Sequence, residues 1–219
     1  MTAEWSYEPP TGPEQWGSLD PAWVMADVGY RQSPVDLGEA IVGHVDDIDI
    51  APGDIPMSRS FTSHGVQLVP EVPAIAAVGS RRLRLAGIHI HTPAEHVIGN
   101  HQAAAEIHIV HTDDDERFVV LGVLVDEGVH SPEAALFLKS DPEDDTVPAD
   151  IAGLLPADQR PVYSYSGSLT TPPCTEGVSW YVFKEPIQFA QSQLEELTRL
   201  QGASNRPVQP LHGRRIVQR

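Results

Sequence analysis

The chain has 219 residues, of which 41% are hydrophobic, a length and composition that suit one β-rich or mixed domain and exclude wholesale disorder. Acidic residues outnumber basic ones by 31 to 14, and the formal net charge is -17. A field of this sign repels nucleic acids and anionic membranes, so neither is expected as a partner.

Cysteine content and the N-terminal segment bear on location. Cys174 is the single cysteine, so no disulfide can form within the chain. The first residues have neither a basic start nor an apolar run, and no stretch approaches the roughly 20 apolar residues that span a bilayer. A cytoplasmic location is therefore expected, or a periplasmic or secreted one if a leader has been removed.

Short apolar runs between glycines and prolines predict a β-rich chain. Strands are expected, in chain order, at Gln67–Val69, Leu83–His91, Ala105–His111, Phe118–Val125 and Val178–Phe183. Two helices are also expected. The first begins at Ser131, an N-cap followed by Pro132 and Glu133. The second covers about Ala190–Leu200 and stops near Gly202.

Six of the ten histidines lie between positions 89 and 111. Side chains two residues apart in a strand share a face, so His89 and His91 point the same way. Extending this alternation backwards predicts that Leu83, Leu85 and Gly87 lie on the histidine side as well.

The next predicted strand repeats the pattern, with Glu106 and His108 on one face and two isoleucines on the other. If the two strands are neighbours, His89, His91 and His108 converge from a rigid sheet. Three nitrogen ligands with an open fourth position are the catalytic form of a Zn²⁺ site, whereas structural zinc sites are usually closed by cysteines. Solvated histidines on an exposed sheet are the alternative, and the combined spacing favours zinc.

A further segment, Tyr165–Trp180, narrows the interpretation. Together with His89–His91 and Glu106–His111 it resembles the α-class carbonic anhydrases, especially bacterial ones. The resemblance runs nearly end to end and includes Gly12–Gly17, Gln32–Val35, Leu121–Val123 and Arg206–Leu211. It implies a mixed, β-dominated single domain over residues 1–219, built on a large twisted, mainly antiparallel central β-sheet with short peripheral helices.

The resemblance also implies the roles of residues around the metal. The zinc ligands of the family are matched by His89, His91 and His108. Glu106 matches the acid that orients His108 through its second nitrogen. Thr170 matches the threonine whose hydroxyl accepts a hydrogen bond from zinc-bound hydroxide, and Glu95 matches the carboxylate that accepts from that threonine.

Substrate and proton paths follow from the same resemblance. Thr171 lies where the family holds bicarbonate, and the apolar wall for carbon dioxide is matched by Val110, Val120, Leu169, Val178 and Trp180. His64 matches the proton shuttle, and a histidine with an ordinary pKa of about 6.5 can take up and release a proton at neutral pH. Waters on the proton path would be held by Tyr7, Thr62 and Gln67.

The implied activity is zinc-dependent, reversible hydration of carbon dioxide to bicarbonate and a proton through zinc-bound hydroxide. Carbon dioxide, bicarbonate, water, and sulfonamide or anion inhibitors at zinc are the expected ligands, and the chain is expected to be a monomer or homodimer. Two alternatives stay open: a carbonic-anhydrase-like binding or scaffold protein without catalysis, and a zinc hydrolase or lyase acting on a related molecule such as carbon disulfide. Retention of the three histidines with Thr170, Glu95 and His64 favours the enzyme.

Three positions depart from the family pattern. Gly87 stands where a glutamine usually supports the first zinc histidine. Ser204 replaces an asparagine whose backbone carbonyl contacts the second. Ala26 stands where bacterial members often have a cysteine that pairs with the one matched by Cys174.

Other family positions are expected to be structural. His96, His111 and Tyr165 are expected to have buried, hydrogen-bonded roles and not to bind metal. Pro34 and Pro173 match positions that often follow cis peptide bonds, which are otherwise a minority state in folded chains.

Overall fold

The structure is a computed structural model that describes residues 3–138 and 146–219. In these two ranges thirteen strands form one sheet. They are β1 Ile41–Val42, β2 Ile48–Ile50, β3 Asp54–Thr62, β4 Gly65–Pro70, β5 Ile75–Val78, β6 Arg81–His91, β7 Ala105–Asp113, β8 Phe118–Glu127, β9 Thr146–Asp150, β10 Val162–Ser168, β11 Glu176–Phe183, β12 Ile187–Phe189 and β13 Val217–Gln218.

The main path of the sheet is β1-β13-β10-β11-β8-β7-β6-β4-β3-β9, with β5 added beside β6, β2 beside β5, and β12 beside β8. The central strands β6, β7 and β8 pair antiparallel, while β8 and β11 pair parallel. The predicted mainly antiparallel, β-dominated architecture is confirmed.

The helices are short and peripheral. The α-helices are α1 Trp16–Leu19, α2 Met25–Val28 and α3 Gln191–Gln201, and 3-10 helices lie at Pro21–Trp23, Pro132–Leu136 and Ala152–Leu154. Helix α3 agrees with the prediction and ends at Gly202, which adopts a positive φ of 68°. The segment after Ser131 is a 3-10 helix, and the Ser131 hydroxyl donates to the Glu133 carboxylate instead of capping the backbone. None of the helices in the described ranges is both long and apolar enough to cross a membrane.

The prediction that Leu83 and Leu85 lie on the histidine side is wrong. The pairing of β6 with β7 shifts between Leu85 and Gly87, because Ala86 is an extra, exposed residue in the strand. A β-bulge of this kind reverses which side chains face the core. Leu83 and Leu85 therefore pack in the same core as Ile88, on the face opposite the histidines.

Two apolar cores lie on opposite faces of the sheet. We call the first the helix-side core, because it contains Leu194 and Leu197 of α3 together with the isoleucines of β6 and β7. We call the second the histidine-side core. It includes Val120, Val178 and Trp180. The sheet therefore separates the histidine cluster from the packing that anchors α3.

Candidate metal centre

The three predicted metal ligands converge on one face of the central sheet. His89 on β6 lies directly opposite His108 on β7, as predicted for neighbouring strands. The imidazole centroids are 4.9 Å apart for His89 and His91, 5.1 Å for His89 and His108, and 4.6 Å for His91 and His108. One nitrogen of each ring lies within 4.8 Å of the others, an arrangement that could hold a metal ion.

His91 has one nitrogen engaged and one directed to the cluster. Its Nδ1–H donates to the carbonyl oxygen of Ser204 at 2.5 Å. Its Nε2 is buried and has no hydrogen-bond partner among the described residues. In a neutral imidazole with Nδ1 protonated, Nε2 carries the lone pair, so this orphaned atom is available as a metal ligand. The contact at Ser204 is the backbone-carbonyl contact that the resemblance predicts, with serine in place of asparagine.

Glu106 fixes His108 from the other side. Its Oε1 accepts from Nε2–H of His108 at 3.0 Å, which leaves Nδ1 of His108 facing the cluster, 3.3 Å from Nε2 of His89. The same carboxylate accepts from the Nδ1–H of His96 at 2.6 Å and from the backbone N–H groups of Glu95 and His96. Burial by itself would raise the pKa of Glu106, but His96 and His108 hold it well below its usual value.

The three imidazoles are held neutral. Burial lowers the pKa of His89 well below its ordinary value, and the neighbouring His91 and His108 lower it further. Burial also lowers the pKa of His91 and of His108. Deprotonated imidazoles are the form that binds a divalent cation, so protons compete weakly with a metal here.

Glu95 lies behind the ligands and is fully enclosed, being 1% exposed. Its Oε1 accepts from the backbone N–H of Arg206 at 2.7 Å, while its Oε2 is buried without a hydrogen-bond partner among the described residues. Burial raises the pKa of Glu95 to about 7, against the lowering effect of His108, the Arg206 N–H and the nearby Thr170 side chain. Its Oε2 lies 3.6 Å from Nε2 of His91, so an ionised Glu95 adds negative potential beside the ligand nitrogens.

The predicted apolar wall is assembled beside the histidines. Val120, Val178 and Trp180 are each 1% exposed, and Val110 and Leu169 pack against the same histidine-side core. The Trp180 ring centroid lies 4.8 Å from that of His108, and its indole N–H donates to the Ser168 carbonyl. Thr171 lies in the turn that follows Thr170, where its carbonyl accepts from the Cys174 N–H.

His64 occupies the turn between β3 and β4 and is partly exposed. Its ring stacks on Trp5, with centroids 3.7 Å apart and planes inclined by 7°. Its Nε2 lies 2.8 Å from the Trp5 carbonyl oxygen. The N-terminal segment therefore holds the His64 ring in place.

Of the three residues predicted to hold waters, Gln67 and Tyr7 lie near the histidine cluster, whereas Thr62 hydrogen-bonds within its own turn. Gln67 on β4 pairs with His89, so the two side chains share a face. The Tyr7 ring centroid is 6.5 Å from that of His91, and the Tyr7 hydroxyl is buried without a partner among the described residues. The Thr62 hydroxyl donates to the Gly65 carbonyl and accepts from the His64 N–H, so it is engaged within the turn.

Residues expected to be structural are buried as predicted. His96 receives a hydrogen bond from the Tyr165 hydroxyl, which also contacts the Ser33 hydroxyl. His96, Glu106 and His108 also form a second group with metal-ligand spacing, but these atoms already hydrogen-bond one another. His111 is 1% exposed and lies two residues beyond Ile109 on the helix-side face. The peptide bonds before Pro34 and Pro173 are cis, as are those before Pro10 and Pro93.

Two of the positions that depart from the family pattern, Gly87 and Ala26, lie close to backbone or side-chain groups of other segments. A Cβ added at Gly87 would lie 3.0 Å from the Leu68 carbonyl oxygen, so β4 approaches this position closely. Cys174 is a free, fully buried thiol. The Ala26 carbonyl accepts from the guanidinium of Arg206, which also donates to Gln32 and to the Ser33 carbonyl.

Trp5 and Arg206 have no role in the predictions from sequence. Trp5 contacts His64, and Arg206 contacts Glu95 through its backbone. The contact between Trp5 and His64 spans 59 residues of the chain, and the contact between Arg206 and Glu95 spans 111 residues. No local spacing indicates them, although the N-terminal run of aromatic residues and the motif that begins at Arg206 were visible signals.

The sequence-family model that describes the eukaryotic-type carbonic anhydrases matches residues 11–219 of this chain. The chain belongs to this family. Bacterial carbonic anhydrases from Neisseria gonorrhoeae and Pectobacterium atrosepticum are 34% and 31% identical to it, over 98% and 99% of this chain and 87% and 91% of their own length. The chain is thus a carbonic anhydrase of the α class, and carbon dioxide hydration is the general activity of these enzymes.

Solved structures agree with this assignment. The α-carbonic anhydrase of Thermovibrio ammonificans, in complex with the inhibitor sulfanilamide, superposes with a TM-score of 0.91 at 34% identity and covers 98% of this chain and 99% of its own. Dioscorin, solved in complex with ascorbate, superposes with a TM-score of 0.85 at 27% identity over 98% of this chain and 97% of its own.

Proposed function

We propose that this carbonic anhydrase holds one zinc ion through His89, His91 and His108, hydrates carbon dioxide reversibly, and passes the released proton to His64. The observation that carries the proposal is the convergence of three ligand nitrogens within 4.8 Å, one of which, Nε2 of His91, is buried without a partner among the described residues. A buried polar atom without a partner costs free energy, and a metal ion would satisfy it.

The donor set fits zinc. Three neutral imidazoles, two on β6 and one on β7, form the ligand set that is typical of catalytic zinc. Ser204 and Glu106 accept hydrogen bonds from the ring nitrogens of His91 and His108 that face away from the cluster. Zinc bound there would act as a Lewis acid that makes a coordinated water acidic near neutral pH, an effect for which carbonic anhydrase is itself the standard example.

Thr170 and Glu95 would select what occupies the fourth position. The Thr170 hydroxyl would donate to the Glu95 carboxylate, as the resemblance implies, and its oxygen could then only accept from a group on the metal side. The backbone N–H of Arg206 keeps Glu95 in place for this. The pair would therefore favour a hydrogen-bond donor over a group that can only accept.

The apolar wall would hold carbon dioxide. Val120, Val178 and Trp180 line the histidine-side core beside His108 and offer no hydrogen bonds that would retain water in that space. Val110 and Leu169 complete the wall, and Thr171 lies next to Thr170 where the bicarbonate product would be held. Sulfonamides and anions are expected to compete at the zinc ion.

His64 would exchange protons with the solvent. It is partly exposed, and its ring is held by Trp5. Tyr7, near His91, and Gln67, opposite His89, would hold waters between His64 and the ligands, together with Thr62 in the turn of His64. His64 would carry protons between bound waters and buffer, the role that the resemblance implies.

Stopped-flow measurement of carbon dioxide hydration, together with the zinc content of the purified protein, tests the proposal. We expect one zinc ion per chain, activity that a chelator abolishes and zinc restores, and loss of both zinc and activity in His91→Ala. The exposed His44 provides a matched control, because His44→Ala removes an imidazole with 88% side-chain exposure. A zinc-loaded protein without hydration activity would contradict the enzyme assignment and favour a binding or scaffold role. Location, oligomeric state and the extent of the domain over residues 1–219 stay predictions.

A further inference from the structure

Gln201, the last residue of α3, reaches the metal-binding strand although it is not one of the predicted site residues. Its side-chain nitrogen Nε2 lies within hydrogen-bond distance of three acceptors: the Ile90 carbonyl at 3.0 Å, the Ser204 hydroxyl at 3.1 Å and the Thr92 hydroxyl at 3.3 Å. The two amide hydrogens are therefore shared among groups that flank one metal ligand, His91.

The same acceptors belong to a clamp between β6 and the segment after α3. The Thr92 N–H donates to the Ser204 hydroxyl, and the Ser204 N–H donates to the Thr92 carbonyl. The Thr92 hydroxyl donates to the Gly202 carbonyl at 2.7 Å. Within this clamp the Ser204 carbonyl accepts from Nδ1–H of His91 at 2.5 Å, so the clamp sets where that acceptor lies.

The segment that carries Ser204 depends on such ties. Gly202, with a φ of 68°, ends the helix, and both Gly202 and Ala203 are exposed. A glycine next to an exposed residue gives the backbone freedom to move. Ser204 is nevertheless 1% exposed, so a buried residue follows an exposed connection and its position depends on hydrogen bonds.

Gln201 also contacts the turn that carries the shuttle candidate. Its Oε1 is buried without a partner among the described residues and lies 3.0 Å from the position that a Cβ on Gly65 would take. Gly65 follows His64 and has a φ of 117°, which other residues rarely adopt. The glutamine side chain therefore fills the space between the His64 turn and the support of His91.

We propose that Gln201 is a positioning residue of the zinc site, which holds the Ser204 carbonyl against Nδ1 of His91 and so fixes the tautomer and direction of that ring. This inference rests on the proposed function. In the family, the backbone carbonyl of an asparagine at position 204 usually supports the second zinc histidine. Here Gln201 and Ser204 together would provide that support for His91. A hydrogen-bonded partner on the distal nitrogen is what keeps a ligand histidine oriented toward its metal.

Two substitutions separate the hydrogen bonds from the shape of the side chain. Gln201→Met keeps the length and removes the donor, whereas Gln201→Glu keeps the shape and places a carboxylate oxygen against the Ile90 carbonyl oxygen, which cannot donate. Gln191→Met is the matched control: Gln191 lies at the other end of α3, and its amide contacts only the exposed Glu195 among the described residues.

The decisive readouts are the exchange rate of the His91 ring N–H with water, measured by NMR on nitrogen-15-labelled protein, and the rate of zinc release to a chelator. We expect both Gln201 variants to exchange this proton faster and to release zinc about tenfold faster than the wild type, in line with the usual effect of losing a ligand's outer partner. Gln191→Met should match the wild type in both rates.

A purely structural role for Gln201 would lower the midpoint of urea unfolding but leave the His91 exchange rate and zinc release of the folded protein unchanged, and that result would overturn the proposal. The ring N–H readout can also be made on protein from which a chelator has removed the zinc. Absence of zinc binding by the wild type would contradict the proposed function, while the exchange rates would still decide whether Gln201 positions His91.

Discussion

His89 and His108 are cross-strand partners on β6 and β7, with ring centroids 5.1 Å apart. Directly opposite residues in an antiparallel pair have their Cβ atoms about 5 Å apart, so the backbone pairing alone brings two of the three ligands together. His91, two residues further along β6, adds the third from the same face. The sheet therefore brings the three candidate ligands together by its strand pairing.

The first prediction concerns Glu106, which accepts from His96, His108 and two backbone N–H groups. In Glu106→Gln one oxygen acceptor becomes a donor and the negative charge is lost. We expect zinc affinity, measured by competition with a chromophoric chelator, to fall about 10- to 100-fold. Glu196→Gln, which alters only an exposed pair with Arg199, is the control. Equal affinities for the two variants would contradict this role.

Gly87 gives the second prediction. Restoring the family residue in Gly87→Gln should slow zinc release about tenfold relative to Gly87→Ala, because only glutamine adds an amide acceptor near His89. Both variants add a Cβ, which would lie 3.0 Å from the Leu68 carbonyl, so both should lower the midpoint of urea unfolding. The comparison of glutamine with alanine isolates the amide, and identical release rates would show that it does not reach His89.

Replacing His64 should separate proton transfer from carbon dioxide hydration. In His64→Ala we expect kcat in dilute buffer to fall by about 10- to 100-fold, near the lower range for a positioned proton-transfer group, while kcat/KM for carbon dioxide stays close to the wild-type value. Added imidazole should restore kcat. His212→Ala removes another histidine that stacks on an aromatic ring, that of Tyr30, and should have no effect. An unchanged kcat in His64→Ala would mean that another group carries the proton.

His111 predicts a pH dependence of stability. Burial lowers its pKa to about 4, against the raising effect of the nearby Ile109 and Val119 backbone groups. The unfolded chain, with an ordinary histidine pKa of about 6.5, therefore binds the proton more readily than the folded one. His111 leaves stability unaffected above about pH 6.5 and reduces it as the pH falls from there to about 4, by about 3 kcal/mol in total.

Urea unfolding of the zinc-free protein at several pH values checks this. The free energy of unfolding of the wild type should fall more steeply between pH 6.5 and 4.5 than that of His111→Gln, which cannot take up the proton. His44→Gln, at an exposed histidine, should keep the wild-type slope. Parallel curves for the wild type and His111→Gln would show that His111 titrates normally in the folded protein.

Much of the fold was accessible from local pattern. The five expected strands and α3 are present, because each combines the right hydrophobic period with clear end signals. Strand β3 was missed, since the buried Arg59 interrupts the alternation of Ile55, Met57 and Phe61 and the strand also contains serines and a proline. Strand β10 was missed too, although its alternating tyrosines and serines are a period-two signal.

By itself the sequence determined the ligand face of β6 and the identity of the three histidines, because two-residue periodicity is a property of any extended strand. Only the tertiary structure decided where that periodicity breaks. The bulge at Ala86 depends on how β6 pairs with β7, so it sends Leu83 and Leu85 to the helix-side core without a local signal. The partners of His91 and His64, which are Ser204 and Trp5, likewise come from distant parts of the chain. Contacts of that kind depend on packing between elements, which residue spacing does not encode.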